Sequence, residues 1–225
     1  MLSYITNNVD LWVEGSFNTI TLTILSFIIG FFVAVPIGMA RVKTGSWLSW
    51  LANGYITLIR GTPLLVQIFL LYYGSGQFSR ELKQIDLWWL FRDAYYCGLM
   101  ALVLNTAAYQ AEILRGAIQA IPKGLREAGA AIGLSLFKIY RKIILPIALA
   151  RMLPAMGNEL VLLLKASALV SIITVMDVMG QARYLFSQTL DLSVYYLAAL
   201  IYLAVVLVIE AVWRKLEARN SWLNI

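Results

Sequence analysis

The residues most able to do chemistry are those stranded in apolar surroundings: Arg60, Glu112 with Arg115, Glu159 with Lys165, and Asp177. An ionisable group at membrane depth is costly and marks a functional position by default. Glu112 and Arg115 are three apart on one helical face, so one reading is that they neutralise each other near a helix end, where Arg115 can snorkel. The other is that Arg115 grips a ligand carboxylate with its forked guanidinium, while Glu112 and Asp177, the latter in the run SIITVMDVMG, receive cationic groups. Asn105, Tyr109 and Glu112 recur at spacings of four and three, which suits either a ligand path or polar bonding between spans. Catalysis is poorly served: there is no His, Cys97 is the single cysteine, and no G-x-x-x-x-G-K-[ST] phosphate loop occurs. Zinc, heme, internal disulfides and His-based catalysis are excluded, and so is ATP hydrolysis by that loop on this chain.

The elements that position these residues are membrane spans. Of 225 residues, 61% are hydrophobic and 13% charged, far from the roughly 25% charged content of a soluble domain. A crossing takes about 20 apolar residues, so the chain holds a single transmembrane domain, residues 1–225, with no room for a large soluble one. Five all-α spans are expected: Phe17–Ala40, Trp47–Tyr73, Ala94–Ala117, Ile143–Leu164 and Val194–Trp213. Met1–Glu14 is polar and acidic where a signal peptide is basic, so the first run is expected to remain as a span. Arg60-Gly61-Thr62-Pro63 interrupts the second span, and a break near Thr62 follows from the missing proline donor. Gly74 to Arg92, with Trp88-Trp89, reads as an external interfacial loop.

Charge sets the orientation. Arg41, Lys43, the Arg115–Arg151 segment and the basic tail hold twelve Lys and Arg on one side, against Arg80, Lys83 and Arg92, or these with Arg183, on the other. By the positive-inside rule the N-terminus is outside and the C-terminus inside, which an odd number of spans satisfies. The net charge of +6 therefore reflects cytoplasmic loops rather than nucleic-acid binding.

Between the third and fourth spans, Ile121–Lys142 (IPKGLREAGAAIGLSLFKIYRK) is too charged to cross and is expected to form one or two short surface helices. Ala128, Gly129, Ala130, Ala131 and Gly133 leave it little side-chain bulk, so it is either a surface for close docking or an inert interfacial helix. The spacing Glu127-Ala128-Gly129, Gly133, then Ile143, Leu145 and Pro146 resembles the EAA loop of permease subunits in bacterial ABC importers, with Gly129 where that pattern has alanine. NGYITLIRGTPLLVQIFLLYYGSGQF, LNTAAYQAEILRGAIQAIPKG and NELVLLLKASALVSIIT are similar to the polar amino acid permeases, and most of all to the M-type subunit of arginine importers.

The resemblance implies the type I importer fold in a bacterial inner membrane. It also implies two cytoplasmic ATPase subunits, a second permease forming a heterodimer, and a periplasmic binding protein; ATP is held by the ATPases, and this chain has no cofactor of its own. Glu127, Ala128, Gly129, Gly133 and Pro146 then carry ATPase coupling. Arg115 and Asp177 match positions of a substrate site within the spans, accompanied here by Glu112, Asn105 and Tyr109. Lys165-Ala166-Ser167-Ala168-Leu169 resembles a segment near the external gate. The implied cargo is a basic amino acid, L-arginine foremost. Another polar amino acid or an opine is the alternative, followed by a passive channel or a membrane-embedded enzyme built on Asp177, Glu112 and Glu159.

Overall fold

The computed structural model describes residues 8–42 and 45–220. Among them every regular element is helical: α1 (Val9–Val42), α2 (Trp47–Gly61), α3 (Leu64–Phe69, continued by a π turn over Leu70–Gly74), α4 (Ser79–Gln84), α5 (Trp88–Arg92) and α6 (Ala94–Gln119). After α7 (Lys123–Ala131) come α8 (Leu136–Ile139), a π turn over Tyr140–Ile144, α9 (Leu145–Ser167), a 3₁₀ turn over Ala168–Ile173, α10 (Val178–Thr189) and α11 (Ser193–Asn220).

Four stretches are long and apolar enough to cross a bilayer: Val9–Val42, Ala94–Gln119, Leu136–Ile173 and Ser193–Arg219. The pair Trp47–Gly61 and Leu64–Gly74 makes a fifth span if its two arms, bent by 103°, are counted together. The bend falls where the sequence places it. Thr62 and Pro63 are extended (ψ 146° and 134°), and Pro63 has no N–H with which to continue the helix.

Several boundaries differ from expectation: the fourth span runs past Leu164 to Ile173 and the fifth past Trp213 to Arg219, and two starts differ as well. The first helix starts at Val9, ahead of Phe17, because Trp12 buries its ring against Val178, Leu185 and Val194 and extends the helix past its polar positions Asp10 and Glu14. The fourth span starts at Leu136, ahead of Ile143, because Ser135 caps α8 through the Lys138 N–H and Ile139 is wholly buried. Lys138, Arg141 and Lys142 thus form the foot of a span instead of a separate surface helix.

α6 is the central helix. Ala101, Ala107, Ala108 and Ala111 are fully buried, and these small side chains let neighbouring backbones come close. A Cβ on Gly30 of α1 would stand 2.5 Å from Thr106 Cγ2, and one on Gly38 2.9 Å from the Ala111 carbonyl oxygen. At the periphery, Phe17, Ile28 and Phe32 of α1 and Tyr196, Leu200, Leu203 and Leu207 of α11 face outward, the apolar surface a bilayer requires.

Candidate functional site

The break in the second span is held open by one side chain. Gln67 Nε2 donates to the carbonyls of Ile59 (2.7 Å) and Thr62 (3.2 Å) and to Thr62 Oγ1 (2.9 Å), while Thr62 Oγ1 itself donates to the Leu58 carbonyl (2.8 Å). Backbone acceptors exposed by the bend are thereby satisfied without water. Gln67 Oε1 accepts from Asn105 Nδ2 (3.3 Å), which ties the break to α6. Sequence reasoning passed over Gln67, although a lone amide in LLVQIFLL, four residues after a proline, is a visible signal.

Beside the break lies a cleft of ≈390 Å³ lined by Thr62, Pro63, Asn105, Tyr109, Glu159 and Ala166 among others. The Arg60 guanidinium carbon sits 4.9 Å from the centre of the Tyr109 ring, a cation–π contact at its edge. Glu159, only 6% exposed, accepts from Thr106 Oγ1 (2.9 Å), and Gln110 Nε2 backs that hydroxyl at 3.0 Å while also donating to the Phe27 carbonyl at 3.2 Å. Glu159 has no ion-pair partner among the described residues. The cleft therefore presents a carboxylate, an amide, a phenol and a nearby guanidinium, a set suited to a small zwitterion with an added positive charge.

Further along α6, Glu112 lies between two arginines. Arg115 Nε donates to both of its carboxylate oxygens at 3.1 Å and Arg115 Nη2 also reaches it, while Arg41 Nη1 of α1 pairs with it from the other side. Arg41 Nε donates to Asn53 Oδ1 (2.6 Å), and Arg115 Nη1 binds Gln119. The local Glu112–Arg115 pairing is thus present and is joined by Arg41, which the sequence presented only as a loop charge.

Arg115 and Asp177 are not brought together. Asp177 is fully buried as the N-cap of α10: Oδ1 accepts from the Gly180 N–H (2.8 Å), Oδ2 accepts from the Tyr202 hydroxyl (3.1 Å), and the adjacent Val178 N–H donates to Thr19 Oγ1 (3.1 Å). It touches α1 near Gly15, whereas the Arg115 end of α6 touches α1 near Gly38. Those positions are about 35 Å apart along the helix at 1.5 Å per residue, too far for one amino acid to span. Burial lifts the Asp177 carboxyl to about 6, against the lowering effect of its Gly180 and Tyr202 hydrogen bonds. Ser167 donates to the Leu164 carbonyl (2.7 Å), and Lys165 is exposed.

The charged, small-residue segment forms α7. Glu127, Ala128, Ala130 and Ala131 are exposed, and Gly129 is the buried exception, seated on Ile139 and Ile143. A Cβ at Gly129 would lie 3.0 Å from Ile139 Cγ1, so glycine in the place of alanine permits this close seat. Gly133, at φ +79°, closes the helix in the left-handed region, with its N–H donating to the Ala130 carbonyl (2.9 Å) and the Leu134 N–H to that of Gly129 (3.1 Å). Ile132, Leu136 and Phe137, 75%, 67% and 72% exposed, add an apolar border that exceeds what an isolated surface helix needs. Pro146 follows the π turn inside the fourth span, where it withholds one backbone donor from the helix.

Residues 26–222 match the family described as the binding-protein-dependent transport system inner membrane component. The chain is 44% identical over 207 residues to the nopaline transport system permease protein NocM of Agrobacterium fabrum, covering 92% of this chain and 85% of that protein. It is 41% identical over 208 residues to the arginine ABC transporter permease protein ArtM of Haemophilus influenzae, covering 92% and 91%. The solved structure described as an amino acid ABC transporter with histidines superposes with a TM-score of 0.85 at 34% identity, over 96% of both chains. An inward-facing MetNI methionine ABC transporter shares the fold at 20% identity, with a TM-score of 0.76 over 94% of this chain and 97% of that one.

Proposed function

The chain belongs to the family of binding-protein-dependent transport system inner membrane components, as a polar amino acid ABC permease and not an enzyme, and from that footing we propose that it carries basic amino acids, L-arginine foremost, into the cytoplasm across a bacterial inner membrane. The observation that carries this reading is Glu159: a carboxylate almost entirely withdrawn from solvent, facing a cleft, hydrogen-bonded by one threonine and paired with no cation among the described residues. Such a group is expensive in apolar surroundings unless a cation arrives to neutralise it, and a guanidinium does so with two parallel hydrogen bonds. Arg60 at the cleft edge supplies the opposite charge for an α-carboxylate, and Asn105 and Tyr109 supply neutral contacts between them. Glu112, with Arg115 and Arg41, stands next along the same face of α6 and is the first charged cluster an outgoing substrate meets.

Relatives named for arginine, nopaline and octopine, at 40–44% identity, support the same ligand class, since all three molecules carry a guanidinium and a carboxylate. An opine is the second reading, favoured by the 44% identity to the nopaline permease. Energy reaches this chain through α7, which presents its small-residue face to a cytoplasmic ATPase. A second permease as heterodimer partner and a periplasmic binding protein complete the assembly.

The test uses the full complex in proteoliposomes with ATP inside and loaded binding protein outside. Glu159→Gln keeps the shape and the Thr106 hydrogen bond and removes the charge. Arginine uptake should fall by about tenfold or more, the worth of one charge-assisted hydrogen bond, while uptake of neutral citrulline falls less. An unchanged arginine-to-citrulline ratio refutes the assignment of Glu159, and preferential block by nopaline over arginine favours the opine.

A further inference from the structure

The contacts beneath α7 converge on one short stretch of chain. Arg126 Nη2 donates to the Tyr140 hydroxyl at 2.6 Å, and the guanidinium carbon lies 5.2 Å from the centre of the same ring. One turn further along α7, Gly129 rests on Ile139 and Ile143. Both contacts land on the π turn Tyr140–Ile144 or the residue before it, where the Leu145 N–H reaches back to the Tyr140 carbonyl across five residues. Around Arg126 the space is otherwise open. The side chain is a shared wall of two clefts, one of ≈440 Å³ that includes Met39 and Leu136, the other of ≈190 Å³ that includes Pro122 and Ile144.

We propose that Arg126 and Tyr140 form a positioning strap that delivers displacement of α7 to the π turn at the foot of the fourth span. The proposal rests on α7 being the helix that meets the ATPase. A π turn is one residue away from the α-helical register, so a push at its first residue is taken up as rotation of the helix that follows. That helix is α9, which carries Glu159 into the cleft on its far half. Gly129 fixes the separation of α7 from the span, and the strap fixes its pitch. Leu125 of α7 packs with Gly129 on the apolar cluster that holds Ile139 and Ile144, so the strap adds a directional polar link to that apolar seat.

The experiment measures arginine taken up per ATP hydrolysed by the full complex, for Arg126→Gln, Tyr140→Phe and the double variant. Tyr140→Phe keeps the ring and removes only the acceptor, and it lies outside the docking face, so the ATPase should still co-purify. Each single change should lower uptake per ATP by about threefold to fivefold, the worth of one hydrogen bond, with hydrolysis persisting. The double variant should be no worse than either single one, because both remove the same link. Undiminished coupling in Tyr140→Phe, or losses that multiply in the double variant, overturns the strap. Glu127→Arg, measured alongside, separates the two claims. If it uncouples hydrolysis while Tyr140→Phe does not, the strap alone is wrong; if it leaves coupling intact, the docking role of α7 fails first.

Discussion

Glu159 and Asp177 are both carboxylates removed from solvent, and what separates them is how each is satisfied. Asp177 has both oxygens occupied, by the Gly180 N–H and the Tyr202 hydroxyl, which makes it a helix cap that also pins α11. Its carboxyl is raised from 3.8 to about 6, so the folded chain holds the proton more tightly than the unfolded one. The stability linked to that proton is complete below pH 3.8 and is lost as pH rises through about 6. Asparagine caps helices as well as aspartate does and carries no charge. Asp177→Asn should therefore flatten the decline in thermal unfolding midpoint between pH 4 and pH 7, by about 3 kcal/mol at most, and leave arginine uptake intact. An unaltered pH profile contradicts the burial argument, and lost uptake with normal stability returns Asp177 to the transport path. The expense of an acid in SIITVMDVMG was legible in the sequence. The Tyr202 hydroxyl was not, because it comes from another helix 25 residues later. Arg41 escaped for the same reason: only folding carries it from the end of α1 to Glu112 on α6.

At the level of elements, what could be read was whatever is enforced locally. Pro63 breaks its helix wherever that helix packs, and the spans declare themselves by apolar length. The starts of α1 and α8 were misjudged because burial of Trp12 and Ile139, not local polarity, sets them. The seat of α11 on α9 shows another relation that spacing cannot reveal. Trp213 Nε1 donates to the Leu153 carbonyl (2.8 Å), and its ring lies where a Cβ on Gly157 would be, 2.4 Å from Cδ1. The missing side chain of Gly157 is the socket for an indole. The ring cannot yield as a flexible chain end would. Gly157→Ala should thus displace α11 and lower stability by about 1–3 kcal/mol, seen as a drop in unfolding midpoint. Adding Trp213→Phe should recover part of the loss by shrinking the ring. A Gly157→Ala protein as stable as its parent shows that α11 can slide without strain.

Across the whole molecule, the packing relates the two ends of the chain. Trp12, near the start of α1, packs against Val194 and Leu197 at the start of α11, so both helices begin at one end. α1 ends beside Leu114 of α6, and Phe27 midway along α1 meets Trp213 late in α11 at 5.9 Å between ring centres, so the two helices run in the same direction. A helix of 28 residues is about 42 Å long, enough to put its last turn beyond the opposite face of a bilayer. Val9 and Arg219 therefore lie at opposite ends of the fold, and the positive-inside rule predicts that the end carrying α7, with Lys123, Arg126, Lys138, Arg141 and Lys142, faces the cytoplasm. Cys97 is wholly buried, so single reporter cysteines can be added without removing it, with the parent protein as the unlabelled control. In intact spheroplasts a membrane-impermeant maleimide should label Gln84→Cys at the end of α4, in the segment that connects α3 to α6. Lys123→Cys and Arg219→Cys should react only after the membrane is opened. Labelling of Lys123→Cys from outside would put α7 beyond the reach of any cytoplasmic ATPase, and the energy path through Arg126, Tyr140 and the fourth span would have no source.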